Sequence, residues 1–575
     1  MLSDDEELAR ALRENEMLAA ENERLLRELR EASQKYAEMR GSLSWKITAP
    51  LRKALDLLVT PGKHLSGPLV LNDENYRLWV EKFDTLNDAD RSAIRSAVKS
   101  LAYRPLFSLL LVVHDSPADA IQQTIQSIRR QIYRDWELCL VDDASTAPHV
   151  ARALARCGDD PRVRVARRAT RDEVAAQEEA SGMSSGAYFG LLEPGDTLAE
   201  SALFEIAAAI QAEPRPDIIY SDEDSIDVQG KRSKPRFKTD WNPALLREQD
   251  YFGQLRFRAR EASFERRVCH VPSVLCHRMG ERALASTRIP VELPPRPPKV
   301  SIIIPTRDRA DLLERCIEGL LNRTDYPAME VIVVDNDSRE EKTRQVFAKY
   351  PVRVLPFPGE FNWSAMNNAG AQAATGDILL FLNNDIDVIE KGWLQELVKQ
   401  AWREDTGAVG AKLLFADGTV QHAGIWLGPE GRVRHLLRLS KKDDDGYLSQ
   451  LSTTRNLSAV TGACMATRRK VFVELQGFDE SFPVSYNDLD FCLRLRGKGY
   501  QVVWTPYAEL LHLESASRGS SEWRWRKEEA DHKRFCAKWQ QQMENDPFFN
   551  PNLDLIGEET LALACPPRVK KPWKL

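Results

Sequence analysis

The chain has 575 residues, of which 43% are hydrophobic and 29% charged. That composition excludes a mainly disordered or collagen-like protein and supplies enough apolar material for sizeable cores. Its 80 Lys and Arg against 86 Asp and Glu leave a formal charge of −6, which gives no expectation of a nucleic-acid partner. At roughly 150 residues per domain, length alone suggests about four domains.

Nine cysteines are spread without a CxxC pair or structural-zinc spacing, so a reducing cytosol is expected. The opening MLSDDEELARALREN has no apolar core, and no signal peptide is expected. No run of 18 apolar residues occurs, so no span is expected.

Residues 5–40 carry a heptad pattern. Leu8, Asn15, Asn22, Leu29 and Tyr36 occupy one seam position, and Ala11, Leu18, Leu25, Ala32 and Met39 the other. The pattern predicts a coiled-coil helix over 1–40, with a homo-oligomer formed through 5–40. An amphipathic helix packed on the chain's own body is the alternative. Residues 41–103 read as a helical connector, with 73–100 helical. Its first part, GSLSWKITAPLRKALDLLVT, mixes Trp45 and aliphatics with Lys46, Arg52 and Lys53. It suits either contact with an anionic membrane surface or a short docking helix.

An internal repeat organises the rest. SLLLVVHD at 108–115 matches SIIIPTRD at 301–308, and WELCLVDDAS at 136–145 matches MEVIVVDNDS at 329–338, both with an offset of 193. A third strand follows each pair, ending in Glu193-Pro-Gly-Asp196 or in Asn384-Asp385-Ile386-Asp387. Apolar strands alternating with helices predict an α/β protein with two mostly parallel sheets, each covered on both faces. Acidic residues just past strand ends lie where such sheets bind ligands. The expected units are 104–285, a proline-rich linker over 286–298, 299–545, and a tail over 546–575.

In the second unit, Asp385 and Asp387 form a DxD after the buried strand ILLFLNN, a pattern that can hold a divalent ion. Asp335 ends a neighbouring strand. Asn487-Asp488-Leu489-Asp490 opens a helical run, and His512 follows a further strand. Carboxylates with one imidazole make a plausible metal-ligand set.

The motifs SIIIPTRDR, EVIVVDNDS, FNWSAMNNAG, LLFLNNDIDV, VTGACMATRR, GFDESFPVSYNDLDFCLRLRGKGY and HLESASRG, in this order, resemble family 2 glycosyltransferases, the inverting type with a GT-A nucleotide-sugar fold. Within that family the chain looks most like tandem-domain bacterial enzymes that build O-antigen and other cell-surface polysaccharides, where rhamnose is a frequent donor sugar. The resemblance implies two tandem GT-A-like domains and Mg²⁺ or Mn²⁺ as cofactor. It also implies a nucleoside-diphosphate sugar as donor and a glycan or lipid-linked oligosaccharide as acceptor. Pro305, Thr306, Arg307 and Asp335 would line the nucleotide pocket, with Asp335 reading the pyrimidine. Asn367 and Asn368 would sit near the donor. Asp385 and Asp387 would be the DxD acids, with Asp387 and His512 on the metal. Asp488 would be the general base, and Asp490 and Arg518 would support acceptor or phosphate. The implied location is cytoplasmic, with peripheral membrane contact open.

The first unit departs at the working positions. PTRD becomes Val113-His114-Asp115, the DxD becomes Glu193-Pro-Gly-Asp196, and the Asn-rich segment becomes AAQEEASG. It is also 42 residues shorter between Asp142 and His277 than the other copy between Asp335 and His512. A unit that transfers no sugar is expected there. A non-catalytic scaffold built from two degenerate domains is the competing reading of the whole chain. A nucleotidyltransferase is disfavoured, because PTRDRADLL lacks a Gly-rich phosphate loop.

Overall fold

The computed structural model describes residues 67–157, 160–212, 214–261, 267–280, 286–513, 522–556 and 560–574. The coiled-coil reading of 1–40, the membrane-contact reading of 41–60 and the role given to Arg518 lie outside the described residues.

The repeat seen in the sequence is a repeat of sheets. In the first lobe the strand order is Val163–Arg167, Trp136–Asp142, Phe107–Val113, Tyr188–Leu192, Arg256–Ala259, Ile218–Ile226, Val268–Met279, Thr197–Leu198. In the second it is Arg353–Pro356, Met329–Asp335, Val300–Thr306, Ile378–Leu382, Cys464–Arg468, Thr406–Leu414, Gln501–His512, Ile386–Val388. The two orders correspond strand for strand. In each, a parallel wing of four strands meets a mixed wing, and the antiparallel neighbour of the fourth strand marks the change. The strand order itself reverses between Val300–Thr306 and Ile378–Leu382, and between Phe107–Val113 and Tyr188–Leu192, the switch point at which such sheets take ligands.

Side-chain pins repeat as well. Tyr133 donates to the Pro105 carbonyl and Tyr326 to the Pro298 carbonyl, each at 2.7 Å. Ser108 donates to Glu137 and Ser301 to Glu330. The central strands are buried along their length, Val112 alone among these four being partly exposed. Their aliphatic runs therefore pack on both faces, as continuous rather than alternating apolarity requires.

The stretch 73–100 forms two helices, Asp73–Phe83 and Asp88–Ser100. Asn87 breaks the run: its side chain accepts from Asp90 N–H at 2.9 Å and Asp90 answers with a bond to Asn87 N–H, a capping box that starts a new helix. The 546–575 segment is built into the body. Leu553–Ile556 and Thr560–Leu563 pair with each other, and Leu69–Val70 adds to them. Asp546 accepts from Leu427 N–H and Ser458 in the second lobe. Asn550 donates to Asp222 and to the Lys238 carbonyl of the first. A second inter-lobe clasp joins Asn242 to Asn456, both buried, through reciprocal bonds of 2.8 and 3.0 Å.

Candidate active site

The nucleotide side of the crevice is built by loops after two parallel strands, with Thr306 opposite Asp335 in register. The chain turns there through left-handed residues Asp308 and Asp337. Asp308 holds the turn: its carboxylate accepts from Arg339 and Glu340 N–H, and its own N–H donates to Ser338. Asp335 accepts from Ser338 N–H with Oδ1 and is only half-buried. Thr306 accepts from Asn384 at 2.9 Å, which ties the first strand to the acidic loop. Pro305 is buried in the strand and Arg307 is exposed beyond it.

The first lobe keeps this frame, with Asp115, Asp142 and Ser145 bonded in the same pattern. One register position differs. Arg167 stands opposite Asp142 and pairs with it at 3.3 Å, where the second lobe has Pro356 opposite Asp335. The strand-end acid of the first copy thus has a cation of its own chain beside it, and that register position carries no cation in the second.

On the metal side, Asp385 and His512 are both buried, and Asp385 Oδ1 lies 3.0 Å from His512 Nε2. His512 Nδ1 faces Gln421 Oε1 at 2.6 Å. Asp387 does not join this pair. It sits on Ile386–Val388 and is held by Arg315 at 2.7 Å and by Arg323, both from the Ala310–Asn322 helix and its cap. Of the two DxD acids the structure brings Asp385, and not Asp387, to His512. Asp385 lies in the turn before the Ile386–Val388 strand and Asp387 within it, so the two acids are not held on one strand face.

Among the described residues no three His, Cys, Asp or Glu side chains converge as a metal cage. One carboxylate and one imidazole nonetheless suit a cation whose remaining positions are filled by diphosphate oxygens and water. The donor set fits on this chemistry.

Asp488 lies in the first turn of the Asn487–Gly497 helix, entered through left-handed Tyr486. Its Oδ2 accepts from Gly462 N–H at 2.7 Å and its Oδ1 from Leu489 N–H at 2.9 Å. Burial pushes the carboxyl above its ordinary range, against the pull of these N–H groups. The turn 461–463 is the hub of the site. Ala463 carbonyl accepts from Asn383 N–H, Gly462 N–H holds Asp488, and Thr461 N–H donates to His422 Nε2. That turn brings the acidic loop, the candidate base and His422 together.

Asp490 does not belong with them. It is fully buried, with Oδ2 held by Arg494 at 2.7 Å and Oδ1 by Trp539 at 2.9 Å and Lys538 at 2.7 Å. Residues two apart on a helix face different ways, and the structure places Asp490 in an internal ion pair rather than beside Asp488. Asn368 is also taken up internally: it exchanges bonds with Phe478 N–H and carbonyl at 2.9 Å and docks the Trp363–Ala373 helix on the GFDESF loop. Asn367 is buried and donates to the Trp363 carbonyl. Neither amide is brought to the crevice rim.

Gln421, His422 and His435 went unread in the sequence. They come together only through the Val420–His422 strand and the Ile425–Gly428/Arg432–His435 hairpin. His422 and His435 face each other at 2.8 Å through their Nδ1 atoms. Burial first, then the neighbouring His435 and His512, hold the His422 imidazole well below its usual range. No spacing rule links these residues; a QH pair on a short strand is the only local trace.

Comparison with known proteins gives three kinds of relative. The model of Glycosyl transferase family 2 matches residues 108–267 and 301–476, more than half of the chain. The O-antigen biosynthesis protein RfbC of Myxococcus xanthus is 37% identical over 538 residues, 81% of this chain and 42% of that protein. The uncharacterized protein y4gI of Sinorhizobium fredii is 37% identical over 559 residues, 84% of this chain and 61% of that protein. An N-acetylglucosaminyl-diphospho-decaprenol L-rhamnosyltransferase of Mycobacterium tuberculosis is 26% identical over 227 residues, 36% of this chain and 73% of that enzyme. The chain thus spans about half the length of the first two relatives.

Proposed function

The chain belongs to glycosyl transferase family 2, and from that premise we propose that its second lobe is a metal-dependent inverting glycosyltransferase. Its donor would be a nucleoside-diphosphate sugar, with dTDP-rhamnose the first to test. Its acceptor would be a growing cell-surface polysaccharide or lipid-linked glycan. The names of the relatives support the substrate class. The observation that carries the reading is the Asp385–His512 pair joined through the 461–463 turn to Asp488.

Asp335 and Thr306 receive the nucleotide at the strand ends. Asp488 takes the proton of the acceptor hydroxyl as its oxygen bonds to the anomeric carbon. The bond to the diphosphate breaks with the electron pair leaving on phosphate oxygen, so the centre inverts. Asp385 and His512 would hold Mg²⁺ or Mn²⁺, which when bound neutralises the charge that develops on the leaving diphosphate.

The first lobe is proposed to transfer no sugar. Arg167 covers Asp142. His277 is bonded to Asp224 at 2.7 Å, and Asp224 is held by Arg232. Only residues 260–267 join the strands that residues 469–500, with the Asp488 helix, join in the second lobe. With Mn²⁺ and a lipid-linked oligosaccharide, nucleoside diphosphate should be released from one of a panel of UDP-, dTDP- and GDP-sugars. The double change Glu193→Gln, Asp196→Asn should leave the rate within about twofold, as expected of substitutions remote from the reacting atoms. No release with any donor would favour a non-catalytic scaffold. Loss of release in the double variant, with its fold intact, would make the first lobe a participant.

Residues 5–40 are proposed to form a homo-oligomer. Deletion of 1–40 should give a monomer in light scattering, and an unchanged oligomeric state removes the idea. No helix among the described residues is long and apolar enough to cross a membrane. A cytoplasmic location with peripheral contact through 41–60 stays part of this proposal.

A further inference from the structure

We propose that Gln421 is a positioning residue that fixes His512 as the Nδ1–H tautomer and so turns its Nε2 lone pair toward Asp385. This rests on the metal-dependent reading of the second lobe.

Gln421 is 5% exposed and lies on Val420–His422, which pairs with Thr406–Leu414. Thr406–Leu414 in turn pairs with the strand that ends in His512. The glutamine therefore approaches His512 across one intervening strand, from a rigid position. Its amide meets His512 twice. Nε2 donates to the His512 main-chain carbonyl at 3.4 Å, and Oε1 lies 2.6 Å from Nδ1. A main-chain carbonyl only accepts, so the amide must point its NH₂ group that way. This leaves the amide oxygen for the ring, and an oxygen acceptor there demands a proton on Nδ1.

The consequence falls on the other ring nitrogen. In the neutral imidazole Nε2 is then an acceptor, 3.0 Å from Asp385 Oδ1. Two acceptors at that distance attract each other only with a cation or a proton between them. Partners of this kind on the far nitrogen of a ligating histidine set ring orientation and ligand basicity. His422, next in sequence, cannot substitute for the glutamine. Its Nε2 accepts from Thr461 N–H and its Nδ1 faces His435.

The test uses the full chain and MnCl₂ alone, with bound Mn²⁺ read by electron paramagnetic resonance. Gln421→Leu should weaken binding about 10–100-fold. Gln421→Glu, whose carboxylate still accepts from Nδ1–H but cannot donate to the His512 carbonyl, should bind more tightly than Gln421→Leu. In metal-free protein labelled with ¹⁵N-histidine, the His512 ring, assigned by its loss in His512→Ala, should show a protonated Nδ1 in the wild type and Gln421→Glu. In Gln421→Leu it should show a tautomer mixture. Binding lost in Asp385→Asn but unchanged in Gln421→Leu overturns the role of Gln421 alone. No binding by the wild type, or binding untouched by Asp385→Asn, overturns the metal reading beneath it.

Discussion

Asp488→Asn is expected to lower sugar transfer by about 10²–10⁴-fold, the usual contribution of a positioned general base, while donor binding and melting behaviour persist. Asparagine keeps an oxygen that can accept from Gly462 N–H or Leu489 N–H, so the 461–463 turn stays anchored. It cannot take the acceptor's proton. The pH profile supplies a second check. Burial raises the Asp488 carboxyl above its ordinary value, near 3.9 for a free aspartate. The base works only when ionised, so wild-type activity should rise with pH along an acid limb displaced above that value.

The stability sign is opposite. A carboxyl raised in the fold favours the protonated folded state. Its stabilising contribution is complete below the unfolded value and is lost as pH climbs through the raised one. Asp488→Asn should remove that pH-dependent loss, with one of the two N–H bonds given up, leaving a variant whose stability no longer falls through that range and which is nearly inactive. A variant that keeps most of its rate would place the base elsewhere, and Asp490, with both oxygens held by Arg494, Lys538 and Trp539, is not available for the part.

The second large effect separates two acids that stand two residues apart. Asp385→Asn and His512→Ala should each abolish Mn²⁺-dependent release of nucleoside diphosphate, a loss on the order of 10³-fold or more if the ion's charge stabilisation is worth several kcal/mol, with little change in melting temperature. Asp387→Asn should behave in the reverse way. Its carboxylate is buried but its partners Arg315 and Arg323 are about half exposed. Breaking the clamp should therefore cost about 1–3 kcal/mol of stability, less than for a fully buried pair, and leave Mn²⁺ binding in place. Melting curves and metal titrations on the three variants decide the matter. Loss of Mn²⁺ binding in Asp387→Asn at an unchanged melting temperature would restore the DxD reading of the sequence.

Much of the fold was legible because the repeat carries its own check. The 193-residue offset between Ser108 and Ser301 returns as matching bonds to Glu137 and Glu330, and that between Asp115 and Asp308 as matching turns. The strand-end position of Asp335 and the helix-start position of Asp488 follow from apolar runs and their punctuation. What sequence could not supply was direction. Whether Asp385 or Asp387 meets His512 depends on Arg315 and Arg323 arriving from a helix on the far side of the nucleotide strands. Whether Asp488 or Asp490 faces the crevice depends on Trp539 and Lys538, contributed by the Glu522–Glu544 helix. Gln421 was beyond reach for the same reason, since its meaning lies in a strand pairing that nothing local encodes.

The clasp formed by the C-terminal segment has a consequence for how the chain is made. Leu69–Val70 leaves the ribosome early, yet its partner Thr560–Leu563 and the Asn550 that bonds Asp222 emerge only after both lobes. At roughly 5–20 residues per second, the wait is roughly 25–100 s. Through that interval Leu69–Val70 lacks its partner strand, and the Trp79 indole lacks the Ala564 carbonyl that completes it. Translation therefore leaves the amino-terminal half unlatched until the carboxyl-terminal half arrives to close it.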